Sequence, residues 1–326
     1  MILRTDGENP SLYQVNLKTT ECKHLIDLDV AGIRSVVGNG DQFIVLRQAE
    51  TKEGKTLFAD TWSTTRLMRI KITTLAFLRP VKPKQKGLVT HIVWSDDRTK
   101  VAFVQAVRTP RDGGYTVSRS LQVKSLDQPS PYPDDRLDEY LLVPIGFSSS
   151  QDSLILEGWC FKEKARGIAS MNLTTRVVSL LSPDTKSVTT LSRHRGDHDW
   201  IVVSHQSNTK GSKIELFDPS TKSIREFVSG DELAYMDHPW EPAVAFDLSG
   251  QRMAVATRNG VNVFDTETRQ RVQQHVLSLP GTPLKLRPLI FAADSGGFVL
   301  ATVDGIPHTD PSTKNDLHLI RISTDQ

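Results

Sequence analysis

The sequence predicts an all-β chain, a seven-bladed β-propeller of four-stranded antiparallel blades. Three observations predict it. A stretch of alternating apolar residues ending in a polar turn recurs seven times along the 326 residues. A short strand and a strongly apolar run precede that stretch in unit after unit. No segment stands out with the three-to-four-residue apolar spacing of a helix.

The recurring stretch begins as Leu12-Tyr13-Gln14-Val15-Asn16-Leu17-Lys18-Thr19 and returns as Leu67-Met68-Arg69-Ile70-Lys71-Ile72-Thr73-Thr74. Leu121 to Asp127, Ala169 to Thr175, Ile214 to Thr221, Val261 to Thr268 and Leu317 to Thr324 complete the set. Aligning Asn16, Lys71, Lys124, Asn172, Asp218, Asp265 and Arg321 gives spacings of 55, 53, 48, 46, 47 and 56 residues. Apolar side chains at every second position suit a half-buried strand. The Asn, Asp, Ser and Thr that follow suit a turn, because their short side chains bond nearby backbone. Each stretch therefore reads as the third strand of a blade and its turn into the fourth.

The preceding pattern reads as the first and second strands. Ile92-Val93-Trp94-Ser95-Asp96-Asp97 leads into Val101-Ala102-Phe103-Val104, and Ala243 to Gly250 leads into Met253-Ala254-Val255-Ala256. Ile145-Gly146-Phe147 before Leu154-Ile155-Leu156, and Leu289-Ile290-Phe291 before Phe298-Val299-Leu300, repeat the theme. Unbroken apolar runs of this kind suit strands covered on both faces.

The segments Phe246-Asp247-Leu248-Ser249-Gly250 through Val263-Phe264-Asp265, and Trp94-Ser95-Asp96-Asp97 through Phe103, resemble WD-repeat and TolB-like propeller repeats. The resemblance runs along nearly the whole chain and implies the propeller fold.

The expected organisation is one propeller domain over 1–326. The chain opens inside a blade, with Ile2-Leu3 as a second strand, and closes after a third strand at Ile322. That makes about 26 strands, where seven closed blades need about 28. Either the two ends share one incomplete junction, or the chain is a piece of a longer one. A six-bladed ring closed by N-terminal strands is the alternative. Ser229 to Met236 is the one place where a helical turn is considered. Loops are expected at 48–64, 106–118, 127–138, 205–212 and 302–316, which are rich in Gly, Pro, Ser and charge.

Composition narrows the function classes. Forty Lys and Arg balance 38 Asp and Glu, a net charge of +2. Nucleic acid and acidic membranes ask for a concentrated basic face, so neither is an expected partner. Two cysteines, Cys22 and Cys160, make no disulfide framework and lack metal spacing. They point to a reducing, cytoplasmic or other intracellular compartment.

Candidate chemistry is sparse. Asp294-Ser295-Gly296-Gly297 has the look of a nucleophile loop, but it falls at a strand-to-strand turn, as Ser249-Gly250 does. His194, Asp197, His198 and Asp199 form a polar run before the strand Trp200 to Val203; a His-x3-His pair needs a helix to face one metal. Asp96-Asp97 and Asp134-Asp135 sit in turns, where adjacent carboxylates point apart. No catalytic residue, metal ligand or cofactor is therefore assigned. The binding candidates are loop residues. Trp240, flanked by His238 and Glu241 between two prolines, ranks first, because a rigid exposed aromatic anchors partners well. Lys82, Lys84 and Lys86 form the densest basic stretch, in a Pro-broken connector. Arg108 and Arg111 occupy an expected turn loop before Gly113-Gly114.

The expected function is a non-enzymatic scaffold binding a protein or peptide, since loops on a self-sufficient repeat core are free to make contacts. Two alternatives stand beside it. One is a lactonase-like or hydrolase-like propeller enzyme with a metal in its central channel. The other is an accessory propeller of a larger multidomain protein.

Overall fold

The structure is a computed structural model. It describes residues 2–4, 10–16, 19, 21–39, 41–52, 54–78, 86–127, 140–148, 150–160, 165–183, 201–205, 212–219, 221–230, 244–247, 251–257, 260–276, 287–294, 297–303 and 317–323.

Every regular element among these residues is a β-strand, and all pairings are antiparallel between chain neighbours. Sheet A holds β1 (Ile2–Arg4), β2 (Ser11–Val15) and β3 (Cys22–Asp27). Sheet B holds β4 (Ile33–Asn39), β5 (Gln42–Thr51), β6 (Gly54–Ser63) and β7 (Met68–Leu78). Sheet C holds β8 (Lys86–Trp94), β9 (Lys100–Arg111) and β10 (Gly114–Ser125). Sheet D holds β11 (Tyr140–Phe147), β12 (Ser153–Cys160), β13 (Ala165–Asn172) and β14 (Val178–Pro183). Sheet E holds β15 (Ile201–His205), β16 (Ser212–Asp218) and β17 (Ser223–Gly230). Sheet F holds β18 (Val244–Phe246), β19 (Arg252–Thr257), β20 (Gly260–Asp265) and β21 (Arg271–Val276). Sheet G holds β22 (Arg287–Asp294), β23 (Gly297–Val303) and β24 (Leu317–Ser323).

The chain forms two compact units. One comprises residues 1–15 and 22–180; the other comprises 16–21 and 181–326.

In the first unit, sheets pack face to face, and the second strand of a sheet serves two cores at once. On β5, Phe43 and Val45 join Leu12 and Leu28 of the sheet A region, while Ile44 and Leu46 join Val89, Val101 and Phe103 of sheet C. On β9, Val101 and Phe103 face sheet B, while Ala102 and Val104 face Leu142, Leu154 and Leu156 of sheet D. Both faces of these strands are covered, so period-two alternation disappears and the run becomes wholly apolar. Trp94 spans the same gap, donating its Nε1–H to Ser35 Oγ at 3.2 Å. In the second unit, Ile214, Leu216 and Phe227 of sheet E pack on Met253, Val255 and Phe264 of sheet F, with Phe227 edge-on to Phe264.

The turns repeat as closely as the strands. Asn172 Oδ1 accepts the N–H groups of Thr174 and Thr175 at 2.9 and 2.8 Å. Asp265 Oδ1 accepts those of Glu267 and Thr268 at 3.1 and 2.7 Å. Asp218 Oδ1 and Ser63 Oγ accept from Thr221 and Arg66 in the same way. Four residues after each of these acceptors the chain turns left-handed, at Leu67, Arg176, Lys222 and Arg269 (φ 50 to 62°). The residue after the acceptor then ties this turn to the turn between the first two strands. Thr64 N–H donates to Asp41 O, Leu173 to Asp152 O and Thr266 to Gln251 O. Thr268, through its backbone and then its hydroxyl, holds the Asp265 carboxyl below the usual carboxylate range.

These turns correct the repeat alignment. The stretch from Leu67 to Thr74 is not a third strand: Leu67 is the left-handed turn residue, and Met68 opens β7, the fourth strand of sheet B. The true third strand is β6, whose turn residue Ser63 lies 47 residues after Asn16. The sequence misleads because alternating apolar residues also occur on an outer strand, where Met68, Ile70 and Ile72 are exposed.

Two expected loops are also strands. Residues 48–64 lie mostly in the β5–β6 hairpin, which is paired from Gln42 and Ser63 out to Thr51 and Gly54. Residues 106–118 lie in the β9–β10 hairpin, paired from Lys100 and Ser125 out to Arg111 and Gly114. Ladder hydrogen bonds form whatever the side chains are, so polar residues extend a hairpin beyond its core. Of the expected helical turn, Ser229 and Gly230 end β17, and the remainder lies outside the described residues. Most of 127–138, 205–212 and 302–316 is outside them too. Asp294 of β22 pairs with Gly297 of β23, and Ser295 and Gly296 lie outside the described residues.

Candidate functional surface

The sequence candidates fare differently. Trp240, His238 and Glu241 lie outside the described residues, as do Lys82, Lys84 and the histidine run at 194–198. Lys86 is not in the connector but opens β8, and Arg108 and Arg111 are not in a turn but on β9. That correction joins two candidates that are remote in sequence. The β8–β9 register places Lys86 directly opposite Arg108, and the β9–β10 register places Val117 opposite Arg108 on the other side. The next rung on the same face is Leu88, Ala106 and Arg119. Alternation along β9 sends Arg111 to the opposite face.

This face is the one that packs on sheet D further along β9, through Ala102 and Val104. Beyond the core most of its described side chains are exposed. Arg108 and Arg119 are exposed, and neither forms an ion pair with a described residue. The Arg108 guanidinium lies 4.9 Å from the centre of the Tyr115 ring, a cation–π stack. Tyr115 is 61 % exposed, and Leu88 and Val117 are also exposed. His91 sits in the irregular step between Thr90 and Val93, its Nδ1 2.9 Å from Thr90 Oγ1. Partial desolvation, followed by the charge of Arg119, holds its pKa below the usual imidazole value. That shift favours the neutral ring, and the strip's positive charge comes from Arg108 and Arg119.

Sequence reasoning missed Tyr115, Val117, Arg119 and Leu88. The alternation Tyr115-x-Val117-x-Arg119 was the available signal, since period two puts all three on one face.

A second polar group centres on a buried carboxylate. Asp60, fully buried on β6, accepts from Arg47 Nε at 2.6 Å and Arg69 Nη1 at 3.0 Å, both on Oδ2. Arg47 stacks on Phe58 at 4.5 Å, and Trp62 stacks on Phe43. Asp60 Oδ1 and Trp62 Nε1 are buried, with no hydrogen-bond partner among the described residues. The guanidinium forks join β5, β6 and β7 beside the sheet A–sheet B core, which makes this group a brace. Among the described residues no three His, Cys, Asp or Glu side chains converge to hold a metal ion. Nor is any helix among them long and apolar enough to cross a membrane.

Comparison with known proteins places the fold. No family model matches the sequence, and no curated protein matches it. Solved structures do. A prolyl endopeptidase superposes with a TM-score of 0.55 at 14 % identity, over 99 % of this chain and 48 % of that one. The oligogalacturonate lyase of Vibrio parahaemolyticus superposes with a TM-score of 0.51 at 14 % identity, over 90 % of this chain and 79 % of that one. TolB from Acinetobacter baumannii matches at a TM-score of 0.45 and 17 % identity, over 82 % of this chain and 61 % of that one. The fold is that of the β-propeller proteins. The chain spans about half of the prolyl endopeptidase it matches and less than two thirds of TolB.

Proposed function

We propose that this chain is a non-enzymatic scaffold for a protein or peptide partner, with its seven sheets serving as the seven blades of a propeller. One observation carries the reading. Of the eleven large apolar side chains exposed among the described residues, seven lie on sheets B and C. They are Leu67, Met68, Ile70 and Ile72 at β7, and Leu88, Tyr115 and Val117 on β8 and β10. These sheets are neighbours across one core, and Lys71 of β7 reaches Leu126 O just beyond β10. Exposed apolar residues concentrated on two of the sheets, with exposed Arg and Lys side chains beside them, suit surfaces that are covered in use.

The test is selection of displayed random peptides on the immobilised chain. Enrichment of a sequence class that is lost with Ile70→Ser/Ile72→Ser or with Trp240→Ala supports the scaffold. No enrichment counts against it.

A second reading is favoured by the prolyl endopeptidase match, in which the likeness takes up only 48 % of the larger chain. On that reading the chain is the accessory propeller of a larger protein. Mass spectrometry of the native polypeptide decides it: peptides from beyond residues 1–326 support the reading, and an intact mass of 36.4 kDa opposes it.

A further inference from the structure

We propose that the outer strip of sheet C is a docking site for an acidic polypeptide segment in which carboxylates alternate with aromatic or aliphatic residues. The inference rests on the scaffold reading and names the partner's chemistry.

The first support is positive charge that no described carboxylate pairs. Arg108 and Arg119 stand on adjacent rungs of the β9–β10 ladder, on one face. Like charges set this close across a ladder destabilise it. Arg108 and Arg119 have no described carboxylate between them to relieve this. A carboxylate brought by a partner removes the repulsion and gains charge-assisted hydrogen bonds from guanidinium groups.

The second support is spacing. The three strands are paired residue by residue through this region, so successive side chains on the face stand about 7 Å apart along a strand. An extended peptide repeats its own side chains at the same interval. Its carboxylates then reach Arg108 and Arg119 while the intervening residues cover Leu88 and Val117.

The third support separates a polypeptide from a nucleic acid. Base stacking needs free aromatic faces in series. This strip holds one aromatic ring, Tyr115, and Arg108 already lies over it. Aliphatic side chains fill the space between the cations, and the whole chain carries a net charge of only +2.

The experiment uses the full chain and a fluorescein-labelled peptide of about a dozen residues alternating Glu with Tyr and Leu, read by fluorescence anisotropy. Arg108→Glu and Arg119→Glu should each weaken binding by about tenfold or more. Lys23→Glu, which changes net charge equally on exposed β3, should change it less than about twofold. Arg108→Gln, which keeps the size and removes the charge, should show an intermediate loss, and matched urea midpoints exclude unfolding as the cause. Single-stranded DNA of about 20 nucleotides should bind at least about tenfold more weakly than the peptide. Equal losses with Arg108→Glu and Lys23→Glu, tighter DNA binding, or no peptide binding at all would each overturn the proposal. In the last case the random-peptide selection still decides the scaffold reading by itself.

Discussion

Replacing Gly32 by alanine tests a close backbone approach between the start of β4 and β5. Gly32 precedes β4 with φ +73°, and its carbonyl accepts the Gln48 N–H at 2.8 Å. A methyl group built there falls far inside contact distance of the Gln48 carbonyl oxygen and 3.1 Å from its carbon. Both obstacles are backbone, which cannot rotate away as a side chain can. The left-handed conformation costs an alanine about 1 kcal/mol. Losing the Gly32–Gln48 hydrogen bond costs about another 1 kcal/mol. Parting the strands to relieve the clash adds a loss of packing, for a total of about 3–4 kcal/mol. Gly113 supplies the control. It has φ +81° in the β9–β10 turn but nothing within 4 Å of a built methyl group. Gly113→Ala should therefore cost only the conformational part, about 1 kcal/mol. Urea denaturation of the two variants beside the parent measures the difference. Equal losses would refute the close approach at Gly32.

Three further outcomes are expected. Phe103→Ala removes a fully buried ring from the sheet B–sheet C core and should cost about 3–5 kcal/mol by urea denaturation; a loss below about 1 kcal/mol would mean the sheets do not share that core. Arg47→Met should cost about 3 kcal/mol, because it strips buried Asp60 of its shorter ion-pair bond, and the loss should persist at high salt; a loss that vanishes in 1 M salt would place the pair at the surface instead. The folded-state pKa of Asp265 is depressed by its bonds from Thr268, so its stabilising effect is full above the unfolded value near 3.9 and is lost as pH falls through the lower folded value. The urea-midpoint gap between the parent and Asp265→Ala should hold from pH 7 to about 5 and shrink below about 4; a gap unchanged at pH 2.5 would remove the carboxylate from the turn.

Much of this architecture was legible in local chemistry. Asn172, Asp218 and Asp265 mark hairpin turns by themselves, because a short oxygen-bearing side chain bonds the backbone two or three residues on, with no help from the rest of the fold. The wholly apolar run at Val101–Val104 likewise announces a strand with two covered faces. Local chemistry failed where two structures share one pattern. The alternation at Met68–Ile72 suits an inner or an outer strand, and only the turn at Ser63–Leu67 and the pairing of β6 with β7 tell them apart. It failed again at Thr109–Arg111, where Pro and charge read as loop but the ladder continues.

The candidate surface was decided almost wholly by tertiary structure. Sequence supplied two separate basic segments, around Lys86 and around Arg108. Neither segment records that the other exists, because a strand's hydrogen bonds are made by backbone groups common to all residues and its partner is chosen by cores formed elsewhere. Here the burial of Val101 and Phe103 against sheet B, and of Ala102 and Val104 against sheet D, sets the register of β9. That register then carries Lys86, Arg108, Val117 and Arg119 onto one face, beyond the reach of any local signal.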